Sequence, residues 1–139
     1  MATLYHFEVH TPYRRFYSDS VSAIVLTLID GEVAVYANHS FFTAPVVPCL
    51  LKFKNKEGEW KTAFISEGIL EVTEYKTVLI ADAAEWPEEI DYERAKRAKE
   101  RAEETLRVGV LKFENEKAAA SLRRANMRMK ARDEGVKNS

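Results

Sequence analysis

Apolar residues change their spacing once along this chain. Up to residue 84 they come in short runs with a period of two: TLYHFEV, VSAIVLTLI, EVAVYA, VVPCLLKFK, WKTAFIS, ILEVT and KTVLIA. The runs are rich in β-branched and aromatic residues and are separated by the turn formers TP, DG, KEG, EG and TEY, a pattern that predicts an all-β sandwich or barrel. From residue 88 the period lengthens to about 3.6, and alanine, glutamate, lysine and arginine take over. Two helices are predicted there, joined near Val108 to Lys112 around Gly109, with Pro87 at a start position that tolerates it. The second helix runs through NEKAAASLRRANMRMKA, and the polar RDEGVKNS after it reads as a frayed tail. The expected organisation is a β-sandwich domain over 1–84 and an antiparallel two-helix hairpin over 85–139.

The first helical stretch, EEIDYERAKRAKERAEETL, offers little but alanine to bury. With Asp91 at zero and about 100° per residue, Ala95, Ala98, Ala102 and Leu106 form one stripe, and Ala118, Leu122, Ala125 and Met129 form its counterpart on the second helix. Such stripes approach closely yet stabilise each other little, which suits a hairpin that docks and undocks. Arg94 and Arg101 fall roughly 90° to one side of the first stripe, and Arg124 and Arg128 lie on the same rotational side of the second. Antiparallel packing turns both flanks to one edge, with Asp91 level with Arg128 and Arg94 level with Arg124. Guanidinium groups gathered there repel one another unless an anion joins them or the hairpin opens. The bland alternative is a solvated flank with exposed pairs such as Glu93 with Arg97 and Glu103 with Arg107, worth about 0.3–0.5 kcal/mol each.

Composition narrows the classes. The 139 residues, 46% hydrophobic and 31% charged, suit one small soluble domain with an appendage. A formal net charge of -1 supplies no global basic field, which disfavours nucleic acid as the main partner. The single cysteine, Cys49, excludes an internal disulfide and suits a reducing compartment. MATLYHFEVHTPYRR lacks the apolar core of a signal peptide and VSAIVLTLI is too short to span a bilayer, so no direct membrane insertion is expected. His6, Glu8 and His10 alternate in a predicted strand and share one face, a metal-like set against which stands an ordinary polar sandwich face; no metal is expected. No nucleophile–base arrangement, glycine-rich phosphate loop or cysteine cluster appears, so the chain is not expected to be an enzyme. The basic run RRANMRMKAR, with Arg123, Arg124, Arg128, Lys130 and Arg132, suits salt-sensitive contact with an acidic partner surface.

In order and spacing, FEVHTPYRRFYSDSV, DGEVAVYANHSFFTAP, SEGILEV, TVLIADAAE and IDYERAKRAKERAE resemble the epsilon subunit of F-type rotary ATP synthase, over the chain to about residue 132. The family usually shows Leu-Pro-Gly-His where this chain has YANH, a double glycine where it has Glu67-Gly68, and a glycine where it has Pro48 or Cys49. The resemblance implies a non-catalytic rotor subunit: a flattened sandwich of about ten strands that bridges the gamma shaft and the membrane c-ring, followed by a regulatory hairpin. No cofactor is required. In several bacterial members the folded-down hairpin binds ATP as a regulatory ligand, and the extended form reaches along gamma to the catalytic beta subunits and inhibits hydrolysis. The family's ATP motif stands here as Ile90, Asp91, Tyr92, Glu93, Arg94 and Ala95, supported by Glu85, Arg101, Arg124 and Arg128. Glu32 and His39, flanking the predicted loop EVAVYANH, are the implied contact with the ring. The implied location is the cytoplasmic face of the bacterial cell membrane, as a peripheral part of the complex. A free-standing sandwich that senses nucleotide or binds a small ligand stays open as the alternative; it would purify alone, without gamma and the ring.

Overall fold

The computed structural model describes residues 2–137, with side chains to residue 135. Among these, nine strands form: β1 (Tyr5–His10), β2 (Arg15–Leu28), β3 (Gly31–Val35), β4 (Phe42–Val46), β5 (Cys49–Asn55), β6 (Trp60–Ile65), β7 (Gly68–Val72), β8 (Thr77–Ala81) and β9 (Ala84–Glu85). At 14 residues β2 is long enough to serve both layers of a sandwich. Its first half pairs with β1 and its second half with β3 and β5. From β1 the sheet continues through the parallel neighbour β8, then β7 and β4, and returns to β2 where Leu28 faces Val46. On the other side of β2 it runs through β5 and β6 to the two-residue β9.

Alternation fills the space between the layers. Phe7 and Val9 of β1, Leu51 and Phe53 of β5, and Leu70 of β7 with Leu79 of β8 are fully buried, and Val21, Ile24 and Leu26 line the same core from β2. Each such side chain stabilises the fold by about 1.5–3 kcal/mol relative to an exposed one. Tyr17, Phe7 and Trp86 surround Phe53, and Phe16 stacks on Trp86 at 4.3 Å. Arg14 closes this end, its guanidinium 5.0 Å above Phe16 and its Nη2 donating to the Ala84 carbonyl at 3.2 Å. Because β9 pairs with β6 and Trp86 belongs to the aromatic cluster, the first unit ends at Trp86 rather than at residue 84.

The strand count is nine among the described residues, against about ten expected. β4 was absent from the predicted runs because Pro45 interrupts it. The loop departures have local explanations. Asn38 adopts φ 65°, taking the left-handed position at which Leu-Pro-Gly-His has glycine, and asparagine tolerates that region better than other side chains. Gly68 remains glycine for contact, since a Cβ there would lie 2.3 Å from the Ile80 carbonyl oxygen in the neighbouring strand.

The second unit begins with a 3-10 turn, Pro87–Glu89, followed by α1 (Tyr92–Val108) and α2 (Lys112–Lys137). Asp91 caps α1: its Oδ1 accepts the Arg94 N–H at 3.1 Å. Gly109 ends the helix in the left-handed conformation, with its N–H donating to the Thr105 carbonyl at 3.0 Å. The seam is thinner than the predicted stripes. Ala95 and Ala102 are buried on α1, as are Ala118, Ala125 and Ala131 on α2, whereas Leu106, Leu122 and Met129 are only half-buried. The predicted frayed tail is corrected: α2 continues through Lys137 because Arg132 and Gly135 meet the 3-10 turn, while Asn138 and Ser139 lie outside the described residues. Arg107 pairs with Glu104, not with Glu103, through contacts of 2.6 and 3.0 Å.

Candidate functional site

The sequence-predicted nucleotide residues divide between the two units. Glu85 stands in β9 of the first, opposite Phe64. Asp91, Arg94, Ala95, Arg101, Arg124 and Arg128 all belong to the helical hairpin. Its register follows from contacts across it. Gly135 meets Pro87, Arg132 meets Ile90, and Ala98, Arg101, Ala102 and Thr105 line a groove with Glu114, Lys117, Ala118 and Ser121. In that register the Arg124–Arg128 stretch of α2 runs alongside the first turns of α1. Ala95 is buried, Arg94 and Arg101 are exposed, and Arg124 and Arg128 are half-buried. Arg124 Nη2 donates to Ser121 Oγ at 3.1 Å, which orients that guanidinium along α2.

Asp91 has a structural task that its place in a motif did not reveal. One carboxylate oxygen caps the helix, which leaves the second oxygen to accept another donor. The motif lies on the first turn of α1, where unpaired N–H groups and the helix dipole favour negative charge. Arg101 stands apart, seven residues or about 10 Å along the axis from Arg94. It opens onto the groove, whose volume is about 470 Å³, with Lys117 on the facing helix and a floor of Ala98, Ala102 and Ala118. Sequence reasoning missed Lys117 and Ser121 because neither lies in a motif.

Glu32 and His39 do not share a loop. Residues 31–35 form β3, paired with β2, as the period-two run EVAVYA predicts, so the two residues lie toward opposite ends of a strand and the loop reading of EVAVYANH holds only after Val35. His39 Nδ1 contacts the Ser40 carbonyl at 3.0 Å, and its ring meets Phe42 edge-on at 5.2 Å. It lines a cavity of about 540 Å³ with Tyr36, Phe41, Leu4, Tyr75 and Lys76, a feature the sequence did not suggest. Tyr36, Phe41 and Tyr75 are exposed there, and exposed aromatics divided between two loops leave no period to read. The hydroxyl of the half-buried Tyr5 donates to the Val35 carbonyl, and burial, then the neighbouring Tyr36, push its pKa well up.

His6 and His10 both turn onto Glu8, at 3.0 and 2.7 Å, and Lys76 Nζ joins at 3.3 Å. Hydrogen bonding from His10, aided by Lys76 and His6, holds the Glu8 carboxyl down at about 2 against the opposing effect of burial. The carboxylate is thus spent on its neighbours. Among the described residues no group of three or more such side chains could hold a metal ion.

A β-sandwich followed by a capped, alanine-seamed helical hairpin rich in arginine defines a two-part protein. Both parts match one family: the ATP synthase delta/epsilon chain β-sandwich domain over residues 4–87 and its long α-helix domain over residues 88–132. The chain belongs to the ATP synthase delta/epsilon chain family. It is 45% identical over 130 residues to the ATP synthase epsilon chain of Caldanaerobacter subterraneus subsp. tengcongensis, and 44% identical over 130 residues to that of Caldicellulosiruptor bescii, covering 94% of each chain in both cases. A chain of the Euglena gracilis mitochondrial ATP synthase OSCP/F1/c-ring assembly shares the fold with a TM-score of 0.78 at 18% identity, over 99% of this chain and 82% of that one. A chain of the Tetrahymena thermophila mitochondrial ATP synthase central stalk and c-ring matches with a TM-score of 0.60 at 14% identity, over 94% and 98%.

Proposed function

We propose that the chain is a non-catalytic rotor subunit of a bacterial F-type ATP synthase, joining the gamma shaft to the c-ring and restraining ATP hydrolysis through its hairpin, whose folded-down form binds ATP. The observation that carries the reading is the family match across both units, with the ATP motif opening α1 in the hairpin. A bridging role needs two separate contact surfaces, and the sandwich offers two. One is a row across four strands in which the half-buried His10 of β1 and the exposed Ile80 of β8, Ile69 of β7 and Pro45 of β4 face one another in register, with Ile80 60% and Ile69 53% exposed. The other is the aromatic-rimmed cavity beside His39. We assign the row to gamma and the cavity end to the ring; Glu32, at the other end of β3, remains an independent candidate. The hairpin turn also exposes Val108, Val110, Leu111 and Phe113, which suits a tip that meets protein when the hairpin extends. No helix among the described residues is long and apolar enough to cross a membrane, in keeping with peripheral attachment at the cytoplasmic face.

For the nucleotide, Arg94, Arg101, Arg124 and Arg128 supply phosphate contacts and Asp91 with Ala95 supplies the adenine end. ATP then favours the folded-down state only by as much as it binds that state better. Calorimetric titration of the isolated chain tests this. Arg94→Ala should weaken ATP binding about 10- to 150-fold, the loss of a charge-assisted hydrogen bond of about 1.5–3 kcal/mol. Arg97→Ala and Lys99→Ala, off that edge, should change it little. Equal losses at all three positions would indicate a diffuse positive field, and no binding by wild type at millimolar ATP would leave contact with acidic carboxylates of the beta subunits as the account of these arginines.

A further inference from the structure

The last turns of α2 hold two residues whose placement helix packing alone does not require. Arg132 Nη1 lies 3.2 Å from the Ile90 carbonyl oxygen, 3.3 Å from that of Pro87 and 3.5 Å from that of Glu88. None of these carbonyls belongs to the α1 ladder, whose first bond runs from the Ala95 N–H to the Asp91 carbonyl at 3.1 Å. A guanidinium, with five donors in a planar fork, is the side chain best able to serve several converging carbonyls at once. Three residues later, on the same helix face, comes Gly135. A Cβ at Gly135 would lie 2.3 Å from the Pro87 Cβ and 3.0 Å from its Cγ, so the helix backbone itself rests on the proline ring. Glycine inside a helix costs about 1 kcal/mol relative to alanine. Here it secures an approach that alanine would block.

We propose that Arg132 and Gly135 form a latch closing the hairpin at its open end, and that Arg132 is thereby a positioning residue for the nucleotide edge. The alanine seam gives α1 and α2 little to hold each other by, and the ends farthest from the Gly109 turn are where two such helices part first. The latch acts at those ends. It grips the turn that leads directly into Ile90 and Asp91, and Arg128 lies one helical turn before Arg132 on the same face. Closing the latch therefore holds Arg128 alongside the start of α1, where Asp91 caps the helix. Closure itself is independent of any ligand, whereas the positioning role rests on the nucleotide reading.

Hydrogen exchange on the full chain without ATP, paired with ATP calorimetry, separates the two. Arg132→Ala should speed exchange about tenfold or more in the first turns of α1 as well as in the last turns of α2, as expected for losing a charged hydrogen bond. Arg132→Lys, which keeps a cationic donor within reach of the carbonyls, should fall between. Gly135→Ala should also speed exchange on both helices, although alanine is the better helix former, because it wedges α2 away from Pro87. If Gly135→Ala instead slows exchange, or if Arg132→Ala affects only α2's own last turn, the latch is overturned. In calorimetry Arg132→Ala should weaken ATP binding and Arg132→Lys should restore part of it. Unchanged ATP affinity in Arg132→Ala would overturn the positioning role, while faster exchange on both helices in Arg132→Ala, together with no ATP binding by wild type, would keep the latch and remove the nucleotide reading alone.

Discussion

Replacing Asp91 tests whether one carboxylate serves both the helix and the ligand. Its Oδ1 caps α1 through the Arg94 N–H at 3.1 Å, and the proposed adenine contact falls to the second oxygen. Asp91→Ala removes both, and loss of an N-cap costs about 0.5–2 kcal/mol of helix stability. Weak ATP binding by that variant would therefore be ambiguous. Asp91→Ser resolves the ambiguity, because serine caps as well as aspartate yet is shorter and uncharged, leaving nothing to reach the ligand. In urea unfolding followed by far-ultraviolet circular dichroism, Asp91→Ser should match wild type to within about 0.5 kcal/mol, with Asp91→Ala about 1 kcal/mol lower. Calorimetry should show both variants binding ATP about tenfold or more weakly, the loss of one charge-assisted hydrogen bond. Wild-type affinity in Asp91→Ser would confine the residue to capping and strike it from the site. A serine variant as unstable as the alanine one would refute the capping argument.

Gly68→Ala should destabilise the sandwich by about 1–3 kcal/mol in denaturant unfolding, since its Cβ would overlap the backbone oxygen of Ile80 at 2.3 Å rather than a side chain able to move; a change within about 0.5 kcal/mol would show that β7 shifts at no cost. Glu8, whose folded pKa of about 2 lies below the ordinary 4.5, contributes stability that is fully present above 4.5 and is lost as pH falls toward 2. Glu8→Gln should flatten the decline in unfolding free energy across that window, and parallel slopes for the two proteins would remove Glu8 as its cause.

Local signals carried the fold where one physical rule acted alone. The alternation in CLLKF places Cys49, Leu51 and Phe53 inside, and Gly109 ends α1 because its backbone takes the left-handed conformation that other residues avoid. β4 went unread because Pro45, poor in most strands, is tolerated at this one; its ladder to β7 needs no donor from the proline, which has none. β3 was legible in the alternation of EVAVYA, but the loop assigned to EVAVYANH begins only after Val35, where Tyr36 is exposed and the pairing with β2 ends. The polar tail was read as frayed because it has no helical apolar period to announce that a guanidinium and a bare glycine backbone anchor it.

The site was legible to the extent that helix phase is a geometric consequence of sequence. Phase and the Gly109 turn predict Arg128 near Asp91, and the contacts of Arg132 and Gly135 place the last turns of α2 beside the segment that leads into α1. What phase cannot give is the division of labour within a residue or between helices. It treated Asp91 as a ligand group although half of its hydrogen-bonding capacity is already committed to the cap. It also grouped Arg101 with Arg94 by angle, while the separation along the axis puts Arg101 at a groove with Lys117, whose charge no motif had counted. Under the proposed nucleotide reading, an anion held near Arg94 reaches Arg101 only if it extends along the hairpin by about 10 Å. That length requirement favours a polyphosphate over inorganic phosphate, and it makes Arg101 the arginine whose removal should separate a long anion from a short one.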